Sequence, residues 1–320
     1  FDIDCVKVKE VEDENHQPYL LGFSSINDGY AHSCGHDGHI SIGLTFAEII
    51  SNNKHLFKGK IILIFQAAEE GVRGAKAIID KGVLPKIDYM IGGHLGLSTE
   101  EKNTFSAGSS GFLASKKFNV VLKGKASHSA NSPEKGINAL LAATNIIMGF
   151  YNIPRHSQGL TMINVGVINA GSFRSVIPED AEIQAEVRGE NNELNSYMYE
   201  EVVNIVENIS KAYKCKYKII EAGSSLSENC SAELVDKLYN MVESLGIYNN
   251  IYKTKQITGS EDFTYFMKYV TDNGGQATYM LWGADIKDSF HSGNFDFTEE
   301  SMLKAVLVLC EFLRSISMGG

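Results

Sequence analysis

Lys60-Ile61-Ile62-Leu63-Ile64-Phe65-Gln66-Ala67-Ala68-Glu69-Glu70-Gly71 sets an apolar run directly against a pair of acids. The run is too short to cross a bilayer and too continuous for a half-exposed strand. It predicts a strand buried on both faces, as in a parallel sheet covered by helices. The acids fall just past its carboxyl end, where open α/β sheets place their ligand sites. As neighbours leaving a strand they point apart, so one can hold a metal while the other takes up and returns a proton. An isolated Glu-Glu is usually a solvated turn, but here the pair closes an apolar strand, which argues against that reading.

Upstream, Ala31-His32-Ser33-Cys34-Gly35-His36-Asp37-Gly38-His39 holds three His, one Cys and one Asp within eight residues. Such donors suit Zn or a neighbouring transition metal. The bland rival is a solvated loop that happens to be rich in His. Ile40, Ile42, Leu44, Phe46, Ala47, Ile49 and Ile50 predict a helix over 38–52. The cluster then sits at a helix N-terminus, where free N–H groups favour a thiolate. His94 follows a predicted strand over 87–91, and His291 follows one over 277–282. Singly, each such His is more often structural. Their shared strand-end placement reverses that judgement. Cys34, His36, Glu70, His94 and His291 are too many donors for one tetrahedral ion and suit two ions with a bridging ligand. Cys34 with His36 also admits a thiol-nucleophile hydrolase, and the set as a whole admits a metal- or peptide-binding module without catalysis.

The chain has 320 residues, 43% hydrophobic and 21% charged, in the range of a globular protein, and its length predicts two domains. A net charge of -10, with no run of Lys or Arg, argues against a nucleic-acid partner. No apolar run approaches a membrane span. Five scattered Cys without a CxxC spacing predict a reducing compartment, the cytoplasm. The chain opens at Phe1 without an initiator Met, and Phe1-Asp2-Ile3-Asp4-Cys5-Val6 reads as a mid-domain strand, which predicts further structure before it.

From about Gly111 the texture changes. Strands are predicted over 117–123, 161–168, 180–188 and 216–221, with helices over 136–151 and 193–213, the β-α-β-β-α-β order of a ferredoxin-like unit. Helices over 232–245 and 301–314 and a turn at 259–263 that opens another return to the first style. The expected fold class is α/β. A metal-binding catalytic domain (1–111 and 226–320), with a mostly parallel sheet flanked by helices, is interrupted by a ferredoxin-like domain (112–225). Within that insert His128 sits in a turn before Pro133, and Arg188 can pair with a surface Glu or bind a substrate carboxylate. The residues alone decide neither.

Cys34-Gly35-His36-Asp37-Gly38-His39, Phe65-Gln66-Ala67-Ala68-Glu69-Glu70-Gly71, Gly93-His94 and Gly259-Ser260-Glu261-Asp262 occur in this order and spacing. Together they resemble the M20 metallopeptidases, in particular the amidohydrolase branch with the N-acyl-amino-acid and hippurate hydrolases. The resemblance covers essentially the whole chain. It implies a two-metal catalytic domain and a lid that dimerises, either with itself or with a related subunit. Cys34, the bridge, with His36, Glu70, His94 and His291 would hold two divalent ions (Mn, Zn, Ni or Co). Glu69 would be the general base for a metal-activated water that cuts the amide bond of an N-acyl or N-aroyl amino acid of the aminobenzoyl-glutamate kind. An acetyl- or hippurate-type preference is the alternative within the branch. The resemblance further implies that His128 stabilises the oxyanion in a partner's active site and that Arg188 holds the substrate carboxylate. Asp37 and His39 would support the ligands. Ser175 departs from the pattern: the family commonly carries Asn before Val-Ile-Pro, so a shorter hydroxyl stands at a substrate-contact position.

Overall fold

The computed structural model describes residues 1–8, 16–98, 101–257 and 259–317. It begins with β1 (Val6–Lys7), α1 (Gln17–Leu20), β2 (Tyr30–Ala31), α2 (His36–Asn52), α3 (Gly74–Asp80), β3 (Tyr89–Leu95) and β4 (Thr104–Ser110). Next come β5 (Ala114–Lys123), α4 (Ala139–Tyr151), β6 (Thr161–Ala170), β7 (Asp180–Gly189), α5 (Asn192–Ala212) and β8 (Lys216–Ser225). The chain continues with α6 (Ala232–Leu245), β9 (Asn250–Gln256), α7 (Phe263–Asp272), β10 (Gln276–Trp282), β11 (Ile286–Lys287), β12 (Asp296–Phe297) and α8 (Glu300–Ser317). Two units result: 1–112 with 228–258 and 262–320, and 113–227 with 259–261.

In the first unit a sheet of order β3-β10-β4-β9 is parallel at β3/β10 and β4/β9 and antiparallel at β10/β4. Strand β10 shows why helices cover both faces. Met280 and Trp282 point into a core shared with α2, α6 and α8, whereas Ala277, Tyr279 and Leu281 point into a second core shared with α3 and α7. That alternation is the period of two of a strand with two apolar faces, and burying each large side chain contributes about 1.5–3 kcal/mol.

The apolar run 60–66 departs from expectation. It is extended and lies between the same two cores, Ile61 and Leu63 against one and Ile64 against the other. Among the described residues, however, it forms no ladder. Its only pairing is a parallel bridge of Gln66 with Asp2, flanked by hydrogen bonds from Ile3 N to Gln66 O and from Gln66 N to Phe1 O, both 2.8 Å. Ile62 is exposed, so burial on both faces is incomplete. The strand β3 also runs further than predicted, through Gly92-Gly93 to Leu95. A methyl at Gly93 would meet Met280 O at 2.7 Å, so glycine here lets β3 and β10 close up instead of ending the strand.

The second unit is an antiparallel sheet of order β6-β7-β5-β8 with α4 and α5 on one face. Phe118, Val120 and Leu122 of β5 meet Ile146 and Phe150 of α4 and Met198, Val202 and Val206 of α5. Asn138 and Asn191 accept from the backbone N–H of Leu141 and Leu194, capping these helices. Met198, Val202 and Val206 recur along α5 at helical spacing and are buried, with Ile205 and Ile209 packed beside them.

Candidate metal centre

Gly35, in the left-handed region at φ 80°, turns the chain into α2, so His36 is the first helical residue and Cys34 stands just before the helix. His94 comes from the end of β3, and His291 from the loop after β11, where its backbone N–H donates to Ser33 O at 2.8 Å. Glu69 and Glu70 lie in the turn 67–73, held by Val72 N to Glu69 O and Arg73 N to Ala68 O. Ala68, Val72 and His291 all have positive φ, a strained conformation for such residues that clusters at sites.

These elements converge. Donor atoms of Cys34, His36 and His94 lie within 4.8 Å of one another, and so do those of Cys34, Glu70 and His291, and those of His36, Glu69 and Glu70. The Cys34 Sγ to His94 Nε2 distance is 3.5 Å and His291 Nε2 to Glu70 Oε2 is 3.4 Å. Donors flanking one tetrahedral ion at ordinary bond lengths stand about 3.4–3.6 Å apart, so both spacings fit a shared cation. His36, His94 and Cys34 are buried, whereas the His291 side chain is 52% exposed and forms the rim.

Hydrogen bonding fixes which ring nitrogens face inward. Nδ1 of His94 donates to Leu95 O at 2.8 Å, and Nδ1 of His36 to Asp4 O at 3.1 Å, since a carbonyl can only accept. Nε2 of His36 is buried with no hydrogen-bond partner. An imidazole anchored through one nitrogen with the other left bare is prepared as a metal ligand. His39 differs: its Nε2 accepts from Leu95 N at 3.1 Å, and its Nδ1 lies 3.7 Å from Asp2. Its ring stacks on His36 at 5.3 Å and meets His94 edge-on at 4.8 Å, and its donor atoms lie within 4.8 Å of those of Asp2 and His36. Asp37 lies in the first turn of α2 and belongs to none of the donor groups, and burial raises its pKa.

The electrostatics follow from burial among like and unlike charges. Burial, then the neighbouring His36, pushes His94 down to about 4, and burial with both His94 and His36 drives His39 well below the usual range. For His36 burial opposes the charge, but the Asp4 hydrogen bond and the Asp2, Asp4 and Glu70 carboxylates prevail and lift it to about 9. Burial likewise opposes ionisation of Glu70, and the hydrogen bond and charge of His291 outweigh it. The carboxylates around His36 therefore favour positive charge at that ring, whereas burial and His36 itself disfavour it on His94 and His39.

Asp2, Asp4 and Asp262 were not among the expected site residues. Asp4 Oδ2 accepts from Glu70 N at 3.0 Å. Buried Asp262 accepts from Gln66 Nε2 at 2.5 Å and from Ala75 N at 3.0 Å, pinning both ends of the acidic turn. The first two had a signal: Asp2 and Asp4 alternate in an extended segment and so share a face. Gly74 closes the same turn. A methyl there would stand 2.1 Å from Ala67 O, a backbone atom that cannot swing aside. Gly74→Ala should therefore destabilise the fold by about 1–3 kcal/mol. It should also shift Glu69 and Glu70 enough to lower turnover. Unchanged melting and kinetics would refute this.

In the second unit, His128 is exposed, and its Nδ1 accepts from Ala130 N and Asn131 N at 3.2 and 3.1 Å, so Nε2 carries the proton and points away as a donor. Its loop is bonded to the Ser175 loop through Ser129 N to Ser175 O and Ile177 N to Ser127 O. Arg188 makes a two-pronged contact with Glu186, at 3.1 and 3.2 Å.

Imidazoles, a thiol and carboxylates gathered beside a helix-covered α/β sheet define the class of a metallohydrolase. The family model of Peptidase family M20/M25/M40 matches residues 1–315, and the chain belongs to that family as a metallo-amidohydrolase. It is 40% identical over 316 residues to a p-aminobenzoyl-glutamate hydrolase subunit homolog of Haemophilus influenzae, covering 99% of this chain and 74% of that protein. It is 36% identical to the indole-3-acetyl-aspartic acid hydrolase of Enterobacter agglomerans, covering 96% and 71%. Among solved structures, the aminobenzoyl-glutamate utilization protein from Klebsiella pneumoniae superposes with a TM-score of 0.79 at 34% identity, over 88% of this chain and 68% of that one.

Proposed function

We propose that this chain hydrolyses the amide bond of an N-acyl or N-aroyl amino acid, with aminobenzoyl-glutamate as the reference substrate, at a centre of two divalent ions. One observation carries the reading: the Cys34 thiol belongs to both donor groups, with His36 and His94 on one side and Glu70 and His291 on the other. Glu69, whose carboxylate also lies within 4.8 Å of the His36 and Glu70 donors, is the acid this assignment gives to neither ion. When bound, the ions supply Lewis acidity that acidifies a water and polarises the scissile carbonyl. Glu69, 9% exposed at the strained turn, takes the proton from the attacking water and returns it to the departing amine. His128, with its Nε2 proton free to donate, stabilises the oxyanion across a dimer formed by the second unit. Arg188 exchanges Glu186 for the substrate carboxylate, and Ser175, tied to the His128 loop, contacts the substrate beside it. None of the five Cys is joined in a disulfide, which fits a reducing compartment such as the cytoplasm, checked by fractionation of the native source.

The test is release of free amine from a panel of acyl and aroyl amino acids, with and without a chelator and after reloading with Mn, Zn, Ni or Co. Hydrolysis that chelation abolishes and a metal restores is the expected result. Turnover untouched by exhaustive chelation would instead favour the Cys34 thiol nucleophile. Tight binding of the conjugates without amine release would favour a binding module.

A further inference from the structure

The sequence holds five arginines, at 73, 155, 174, 188 and 314. Arg314 pairs with Glu311 and Arg188 with Glu186. Arg73 stands in the turn that carries Glu69 and Glu70, yet among the described residues it makes no ion pair, and its side chain is exposed. Its main chain is fixed on both sides, N–H to Ala68 O and O to Ala77 N, each 3.3 Å. Its side chain folds back over Gly71, where a methyl would stand 2.7 Å from Nε and 3.2 Å from Cδ. The Arg73 side chain thus lies over Gly71, the residue after Glu70, and makes no ion pair with Glu69 or Glu70.

That placement bears on the substrate. The loop 67–73 carries the two acids Glu69 and Glu70 and a single basic residue, Arg73, so Arg73 is the group of this loop that can meet a further carboxylate of a substrate. The two relatives at 36–40% identity act, by name, on conjugates of glutamate and of aspartic acid, amino acids with two carboxylates. Arg188 can serve one carboxylate, and the other needs its own cation. We propose that Arg73 binds the side-chain carboxylate of a dicarboxylic amino acid in the substrate, so that this loop sets the preference for glutamate or aspartate conjugates. This rests on the N-acyl-amino-acid reading above. Arg174, the other exposed arginine beside a site residue, has no comparable anchoring and is the control.

The experiment compares kcat and KM for N-aroyl-glutamate and N-aroyl-glutamine, which differ only in the charge at the distal position. The proteins are the metal-loaded wild type, Arg73→Gln, Arg73→Lys and Arg174→Gln, with metal content measured on each. The wild type should prefer the glutamate conjugate. In Arg73→Gln that preference should shrink by about 10- to 100-fold, through KM, as expected for loss of a charged hydrogen-bonded contact. Arg73→Lys should restore part of it, since a point charge replaces the fork. Equal losses on both conjugates, an unmoved preference, or a preference abolished by Arg174→Gln instead would overturn the assignment. If the wild type cleaves neither conjugate nor any other N-acyl amino acid, the parent reading falls and this one with it.

Discussion

Glu69→Gln is expected to lower kcat by roughly 10²–10⁴-fold while KM and bound metal stay close to wild type. The amide matches the carboxylate in shape but cannot accept a proton from water and pass it to the leaving nitrogen. The turn should survive the change. It is held by backbone bonds of Val72 and Arg73 and by Asp4 and Asp262, none of which uses the Glu69 side chain. Five other side chains supply the donors proposed for the two ions, so metal content by elemental analysis separates a lost base from a lost ligand. Activity within tenfold of wild type, with metal present, would remove Glu69 from the chemistry. The same variant tests the dimer. Mixed with His128→Ala protein it should recover activity, because one site in a hybrid can draw Glu69 and His128 from different chains. A verified hybrid that stays inactive would end the role across subunits.

How far the sequence speaks depends on which force shapes each element. Helix α2, strands β5 and β7 and helix α5 carry their periodicity openly because packing against a single core dictates it. Strands β4 and β9 gave no such signal. Apart from Phe105 and Ala107, Thr104–Ser110 is small and polar, yet it is buried mid-sheet, where Gly108 lets Val235 come within 2.7 Å of where a methyl would sit. β9 is an exposed edge with no burial pattern to read. The run 60–66 misled in the opposite sense, since apolar content alone cannot show that a segment lacks ladder partners. In the candidate site, Cys34, His36, Glu69, Glu70 and His94 stand out in the sequence because a thiol, imidazoles and carboxylates crowded into turns do little for packing, and the structure brings their donor atoms together. Asp2, Asp4 and Asp262 act by holding those donors, and a carboxylate that accepts a backbone N–H looks in sequence like any surface acid.

Cys34→Ala carries the largest consequence for the centre itself. A ligand serving one ion should, when lost, leave the other in place, and His291, half exposed on the rim, is the natural comparison. His291→Ala is expected to drop the metal content by about one equivalent and to spare the other, whereas Cys34→Ala should lose both, since its Sγ stands in both donor groups. The same loss should appear in stability. A cation bound at 100 to 1,000 times its dissociation constant adds about 2.7–4.1 kcal/mol, so wild-type melting should rise with metal and that of Cys34→Ala should not. The thiol-nucleophile alternative forecasts the opposite pattern: turnover gone, metal content and metal-dependent melting intact. Removing the sulfur also empties little volume, so a large fall in metal-linked stability would trace to the missing bridge and not to a cavity in the core. Retention of both ions by Cys34→Ala would mean that the two donor groups do not share this thiolate, and the paired-ion arrangement would have to be abandoned.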